Sequence, residues 1–202
     1  YAQIYTDFVN QVKAAESKLV DGKGLRLTEA VAKYLFKLMA YKDEYEVARL
    51  YTDGKFKQKI ADMFEGDYAI NFHLAPPLLA KRNDKDELIK QQFGPWMMKA
   101  FGVLASFKSL RGTALDVFGY TEERRMERAL PVDYKQLISK LLPQLNADNL
   151  SKAVAIASIP EDIRGYGHVK ERHFKLAKEK EAKLLAEFGR PTTPETQVKS
   201  AA

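Results

Sequence analysis

Along residues 1–20, apolar side chains fall at Ile4, Phe8, Val12, Ala15 and Leu19. Steps of three and four place them on one stripe of a helix. The run DGKG at 21–24 ends that helix, since glycine adopts the dihedrals a helix end needs. Thr28 then stands where an N-cap belongs, its hydroxyl able to accept from a backbone N–H of the next turn. Val31, Leu35, Leu38 and Tyr45 share one side of a helix predicted to continue to about Tyr51. Asp53-Gly54 breaks it, and a short helix over about 55–65 ends at Gly66.

The period then changes. Tyr68, Ile70, Phe72 and Leu74 alternate through DYAINFHLAPP (67–77), a strand stopped by two prolines. The polar loop KRNDKDE (81–87) leads to LIKQQF (88–93), a second strand that pairs with the first as a long-looped hairpin. Helix resumes near Pro95, with Trp96, Phe101, Leu104 and Phe107 as its large apolar groups. TALDVF (113–118), between Gly112 and Gly119, reads as a helical turn or a bent helix. Thr121 caps EERRMERAL, whose early glutamates suit the positive end of a helix. Pro131 opens a new helix to about Leu145, with Leu137, Ile138, Leu141 and Leu142 on its core side. Another runs from Asp148 to Ser158-Ile159-Pro160, and a long one from about Tyr166 to Phe188. The fold class expected is mainly α, about seven helices, with a small two-stranded antiparallel hairpin near 67–93. Residues 1–188 read as a single helical domain and 189–202, which lack periodicity, as a flexible tail.

Composition narrows the function classes. No cysteine is present, which excludes a disulfide framework, a thiol nucleophile and any all-cysteine metal or cluster site. No apolar run approaches the ~20 residues that span a bilayer. The first residues carry no basic-then-apolar leader, and the expected location is cytoplasmic. A net charge of +6 points toward anionic partners, but acids and bases alternate, as in KEKEAK (178–183), which favours a solvated surface over nucleic acid. Tyr1 lies inside a predicted helix, so the chain reads as a piece of a larger polypeptide.

Phosphate loops of the GxxxxGK[ST] type, GxGxxG, GxSxG and HExxH are all absent from the sequence. Of the histidines His73, His168 and His173, the last two are five apart, about 140° around a helix, a poor metal pair. No metal ligand and no catalytic residue are therefore expected. Two basic segments stand out. In IRGYGHVKER (163–172), two glycines flank an aromatic before a basic turn, so Arg164, His168, Lys170 and Arg172 can present cations to a carboxylate or phosphate. The bland reading pairs them with Glu161, Asp162 and Glu171. In RGTALDVFGYTEERRMER (111–128), Arg124 is the candidate for ligand binding, beside Arg111, Arg125 and Arg128. The bland reading there is internal salt bridges with acids such as Asp116 and Glu123.

The runs LTEAVAKYLFKLMAYKDEYEVARLYTD (27–53), FHLAPPLLAK (72–81), FGPWM (93–97), LRGTALDVFGYTEERRMER (110–128) and IRGYGHVKE (163–171) lie in one order. Together they resemble the C-terminal domain of bacterial fused indolepyruvate ferredoxin oxidoreductase, over about residues 25–188. The resemblance implies a parent enzyme that oxidatively decarboxylates aryl pyruvates to aryl-acetyl-CoA and passes electrons to ferredoxin. It implies thiamine diphosphate, magnesium and iron–sulfur clusters in that parent. This chain has no cysteine for a cluster, and its nearest match to the thiamine GDG signature, DGKG, has the wrong order. No cofactor and no catalytic residue carry over to it.

The first reading is thus a non-catalytic structural or docking domain whose partners are other domains of the same polypeptide, with a homodimer as a further option. The second is a ligand-binding module contributing to the substrate or CoA site. The third, motivated only by a pI near 9.3, is a basic helical nucleic-acid binder.

Overall fold

A computed structural model describes residues 1–20, 24–75 and 89–189, without the side chain of His168. Eight α-helices and one two-stranded antiparallel sheet make up the regular structure of those residues, so the fold is mainly α with a small hairpin. The chain divides into two compact units: Tyr1–Ala40 together with the chain from Arg128 onward, and Tyr41–Glu127.

The first unit begins with α1 (Ala2–Glu16) and α2 (Arg26–Met39), which pack on each other. In α2, Leu27, Val31, Tyr34, Leu35 and Leu38 recur every three or four residues, and all are buried. Thr28 is not the N-cap that its position suggested. It is the third residue of the helix, and the orphan N–H groups there are met from α1 instead. The fully buried Glu16 carboxylate accepts from the backbone N–H groups of Leu27 at 2.9 Å and Thr28 at 2.8 Å. It also accepts from the Thr28 hydroxyl, at 2.7 Å. One side chain thus ties the end of α1 to the start of α2, using the attraction of an anion for a helix N-terminus.

The rest of this unit is built from α6 (Glu122–Leu141), α7 (Leu150–Ala157) and α8 (Gly167–Phe188), with a 3₁₀ turn at Ile159–Asp162. The division between the units falls inside α6. Pro131 does not open a new helix; it sits within α6, where it lacks the N–H that would reach the carbonyl of Glu127. Thr121 does cap α6, its hydroxyl accepting from the Arg124 N–H at 3.3 Å. Tyr134, Ile138 and Leu141 of α6 are buried, as are Ala153, Ile156 and Ala157 of α7. The buried Tyr134 hydroxyl donates to the Ala157 carbonyl at 2.8 Å. Burial first, and the Tyr34 phenol second, hold the Tyr134 hydroxyl well above the usual tyrosine range.

The second unit holds α3 (Glu44–Thr52), α4 (Lys55–Met63), the strands β1 (Phe72–Leu74) and β2 (Gln91–Phe93), and α5 (Met97–Ser106). The helix predicted to run unbroken to Tyr51 is two helices, because Asp43 restarts it: its carboxylate accepts from the Glu46 N–H at 2.9 Å. Gly54, at φ 88°, supplies the turn that starts α4. The hairpin pairs Phe72 with Phe93, His73 with Gln92 and Leu74 with Gln91, a shorter ladder than the alternation suggested. The prolines and the loop predicted between the strands lie outside the described residues, as does the tail. Tyr51 organises the core. It stacks on Phe101 (centroids 5.1 Å apart) and receives the edges of Phe56 at 4.9 Å and Phe72 at 5.2 Å. TALDVF is neither helical turn nor bent helix but a series of turns wrapped around Asp116. That buried carboxylate accepts from the N–H groups of Gly112 (2.8 Å) and Gly119 (3.0 Å).

Replacing Glu16 by Ala leaves the start of α2 without its acceptor and destabilises the chain by about 2–3 kcal/mol, the scale of charge-assisted bonds. Thr28→Val removes one of the three bonds and costs only about 1 kcal/mol. Urea unfolding of both variants against the parent chain checks the ordering.

Candidate functional site

Two places hold the cations that the sequence singled out, and each is described within its own unit. In the second unit, three acids at the start of α3, Asp43, Glu44 and Glu46, are each met by an arginine. Arg111 grips Asp43 through two nitrogens, its Nη2 donating to Oδ1 at 2.6 Å. Arg124 forks onto Glu44, with Nε to Oε2 at 3.2 Å and Nη2 to Oε1 at 3.0 Å, and its Nη1 donates to Glu127. Arg49 forks onto Glu46 within the helix, at 3.0 and 2.7 Å. The Arg124 side chain is only 15% exposed. Burial disfavours its charge, but the hydrogen bonds and charges of Glu44 and Glu127 outweigh that and push its pKa upward. The Tyr45 hydroxyl, buried and hydrogen-bonded to Asp116, is likewise raised, by burial first and by Asp116 next.

In the first unit the IRGYGHVKER segment forms the entrance to α8. Gly165 sits at φ 92°, and a Cβ there would lie 2.8 Å from Val169 Cγ1, so only glycine fits. Tyr166, 77% exposed, precedes the helix, whose first turn contains no acid. Arg164 turns back: its Nε donates to the Glu161 carbonyl at 2.8 Å, and its guanidinium lies 3.6 Å from the Glu161 carboxylate. A His173 ring nitrogen lies 2.9 Å from the Arg164 carbonyl. Lys170 and Arg172 follow on the helix, Arg172 exposed.

The acidic turn at Ile159–Asp162 draws in further groups. The Tyr34 hydroxyl donates to Glu161 Oε2 at 2.7 Å, Lys37 Nζ to the carbonyls of Pro160 (2.6 Å) and Glu161 (3.2 Å), and Lys180 to Asp162 at 2.8 Å. Lys37 is held below the ordinary lysine range, by burial first and by the like charge of Arg164 second. The Tyr34 hydrogen bond first, then the Lys33 charge, hold the Glu161 carboxyl below its usual range.

Arg124 therefore belongs to one unit and Arg164, His168, Lys170 and Arg172 to the other. In these arrangements carboxylates hold helix starts, and guanidinium groups or lysines neutralise carboxylates. Glu16, Asp43, Glu44, Glu127, Tyr34 and Lys37 were not singled out from sequence. Asp43 had a signal, an acid three residues before Glu46 in the manner of a helix start. The others had none, because their partners are fixed by packing. A cavity of about 20 Å³, the size of one water, lies between Leu38, Tyr134, Ile163 and Lys178. Among the described residues no three His, Cys, Asp or Glu side chains group as a metal site. No described helix is long and apolar enough to cross a membrane.

These features define a class: a mainly helical domain with a minor hairpin, the starts of α2 and α3 anchored by carboxylates. The chain belongs to the family of unknown function DUF6537, which covers residues 1–183. No curated protein and no solved structure matches it.

Arg124→Ala takes a guanidinium from the buried Glu127 and the largely covered Glu44 together, and lowers stability by about 3–5 kcal/mol, as expected when one partner of a buried pair is removed. Thermal and urea unfolding check this. Tyr34→Phe removes the first cause of the low Glu161 pKa, so that carboxyl titrates closer to the ordinary value in a ¹³C-carboxyl NMR titration. Since the folded-state value lies below the unfolded one, the stabilisation is present above about pH 4.3. It fades as pH falls through the folded value, and the variant lacks much of it.

Proposed function

We propose that this chain is a non-catalytic bracing and docking domain of an indolepyruvate ferredoxin oxidoreductase, acting in the cytoplasm. The observation that carries the docking role is the apolar surface of the second unit. Helix α5 has one charged residue, Lys99; Met97 and Phe101 are buried and Met98, Ala100, Leu104 and Ala105 partly so, while Val103 of the helix is exposed to water. Leu115, Val117 and Tyr120 of the turns around Asp116 are exposed as well. Apolar groups in this number on a helical domain are usually covered by a partner. The partner in this reading is another domain of the same polypeptide, with ferredoxin meeting the parent enzyme elsewhere.

Support for the parent comes from the ordered runs over residues 27–171 that resemble that enzyme. Its thiamine diphosphate, magnesium and iron–sulfur clusters belong to other parts of it. A cluster needs thiolates and the chain has none, so its donor set does not fit one. The cations best suited to a substrate carboxylate, Arg124 and Arg164, are each bonded to acids of their own unit.

Hydrogen exchange tests the docking role. In the full polypeptide, amides of α5 and of residues 115–120 should exchange more slowly than in the 202-residue chain alone. Equal exchange in the two would refute it. Stoichiometric heat on titrating thiamine diphosphate with magnesium into the chain would refute the non-catalytic assignment.

A further inference from the structure

Helix α5 meets the core of its unit through Met97, Phe101 and Leu104. At about 100° per residue, Trp96, Val103 and Phe107 fall within about 40° of one another. Val103 lies about 120° from Met97 and about 160° from Phe101 around the helix, so this second stripe points away from the core. Trp96 is 60% exposed, Val103 61% and Phe107 49%. The Trp96 ring is in T-shaped contact with Phe93, centroids 6.0 Å apart, and still keeps most of its surface in water. Large aromatic groups of this kind are the usual anchors of protein interfaces.

The charges around the stripe have one sign. From Gly94 to Leu110 the chain carries two charged residues, Lys99 and Lys108, and no acid. Both are exposed. Lys99 lies about 40° from Val103, on one flank of the stripe. It stands in the first turn of a helix that has no acid there and no side-chain cap, where a cation opposes the helix dipole. Lys108 directly follows Phe107, and its charge acts on Glu46, a carboxylate that Arg49 already holds through two bonds.

That single sign discriminates between occupants. Two copies paired antiparallel about Val103 would bring Lys99 of each level with Lys108 of the other. A parallel pair would set Lys99 against Lys99. Like charges across an interface are costly, so a second copy is disfavoured and a partner with carboxylates is favoured.

We infer that this face of α5 seats an acidic segment from another domain of the same polypeptide. Apolar side chains of that segment cover Trp96, Val103 and Phe107, and its carboxylates face Lys99 and Lys108 at the rim. The inference rests on the docking reading above and adds to it the chemistry of the partner.

Hydrogen exchange of α5 tests it, in the full polypeptide and in the 202-residue chain alone, with circular dichroism to establish that each variant is folded. In the full polypeptide, Val103→Asp and the double variant Lys99→Glu, Lys108→Glu should each speed exchange of the α5 amides by about tenfold or more. The exposed Lys55→Glu, on α4, should leave it unchanged. Salt at about 0.5 M should weaken the protection, because rim charges are screened. Protection that Val103→Asp removes but the double lysine reversal leaves intact would overturn the acidic partner and leave the docking role standing. Protection that appears in the chain alone as its concentration rises would assign the face to a second copy and overturn the inference as well. Equal exchange in the full polypeptide and the chain would overturn the docking role itself, and the inference with it.

Discussion

The first turn of a helix leaves backbone N–H groups without partners, and at α2 and α3 this chain answers that requirement with carboxylates. Glu16 reaches from the end of α1 to the start of α2, and Asp43 caps α3 directly. Each solution buries an anion, which then needs its own compensation. Glu16 finds it in two backbone N–H groups and a hydroxyl. Asp43 and its neighbour Glu44 find it in Arg111 and Arg124, which come from far along the chain. Among the described residues no buried side-chain nitrogen or oxygen is left without a partner. The fold is to that extent the solution of a pairing problem set by helix starts.

The consequence for function is that several of the most conspicuous cations are already engaged. A ligand that claimed Arg124 would have to displace Glu44 and Glu127 from a guanidinium that is largely buried, taking a countercharge from both carboxylates. Arg164 is more exposed and its pair with Glu161 is correspondingly weaker, but it serves the turn that Tyr34 and Lys37 also hold. Beside its exposed charges, the second unit offers apolar groups to the outside, on α5, in the turns around Asp116 and at the end of α4. Surfaces of that kind suit contact with protein better than the capture of a small anion.

Much of the architecture was legible in the order of residues. Helix stripes at three- and four-residue spacing, the alternation around Phe72, the Thr121 cap and the long α8 follow from local rules, and the structure has each of them. Local rules failed where two signals competed. Pro131 reads as a helix start, but with good helix formers on both sides the packing of α6 holds one helix through it. The stretch from Thr28 to Tyr51 reads as one helix, because apolar spacing outweighed the Asp43–Glu46 cap that divides it.

The sequence by itself determined the helical class, the hairpin, the lack of thiolate chemistry and the kinds of charge available. It could do so because periodicity and composition depend only on near neighbours and on which side chains exist. Only the tertiary structure decided which charges remain open to a partner. Glu16 meets Thr28 across a turn, Arg111 meets Asp43, and Arg124 meets Glu44, over separations of 12, 68 and 80 residues. No local pattern encodes such distances. They follow from burial, which makes an unpartnered charge too costly to keep and so selects the fold in which each finds its counterpart.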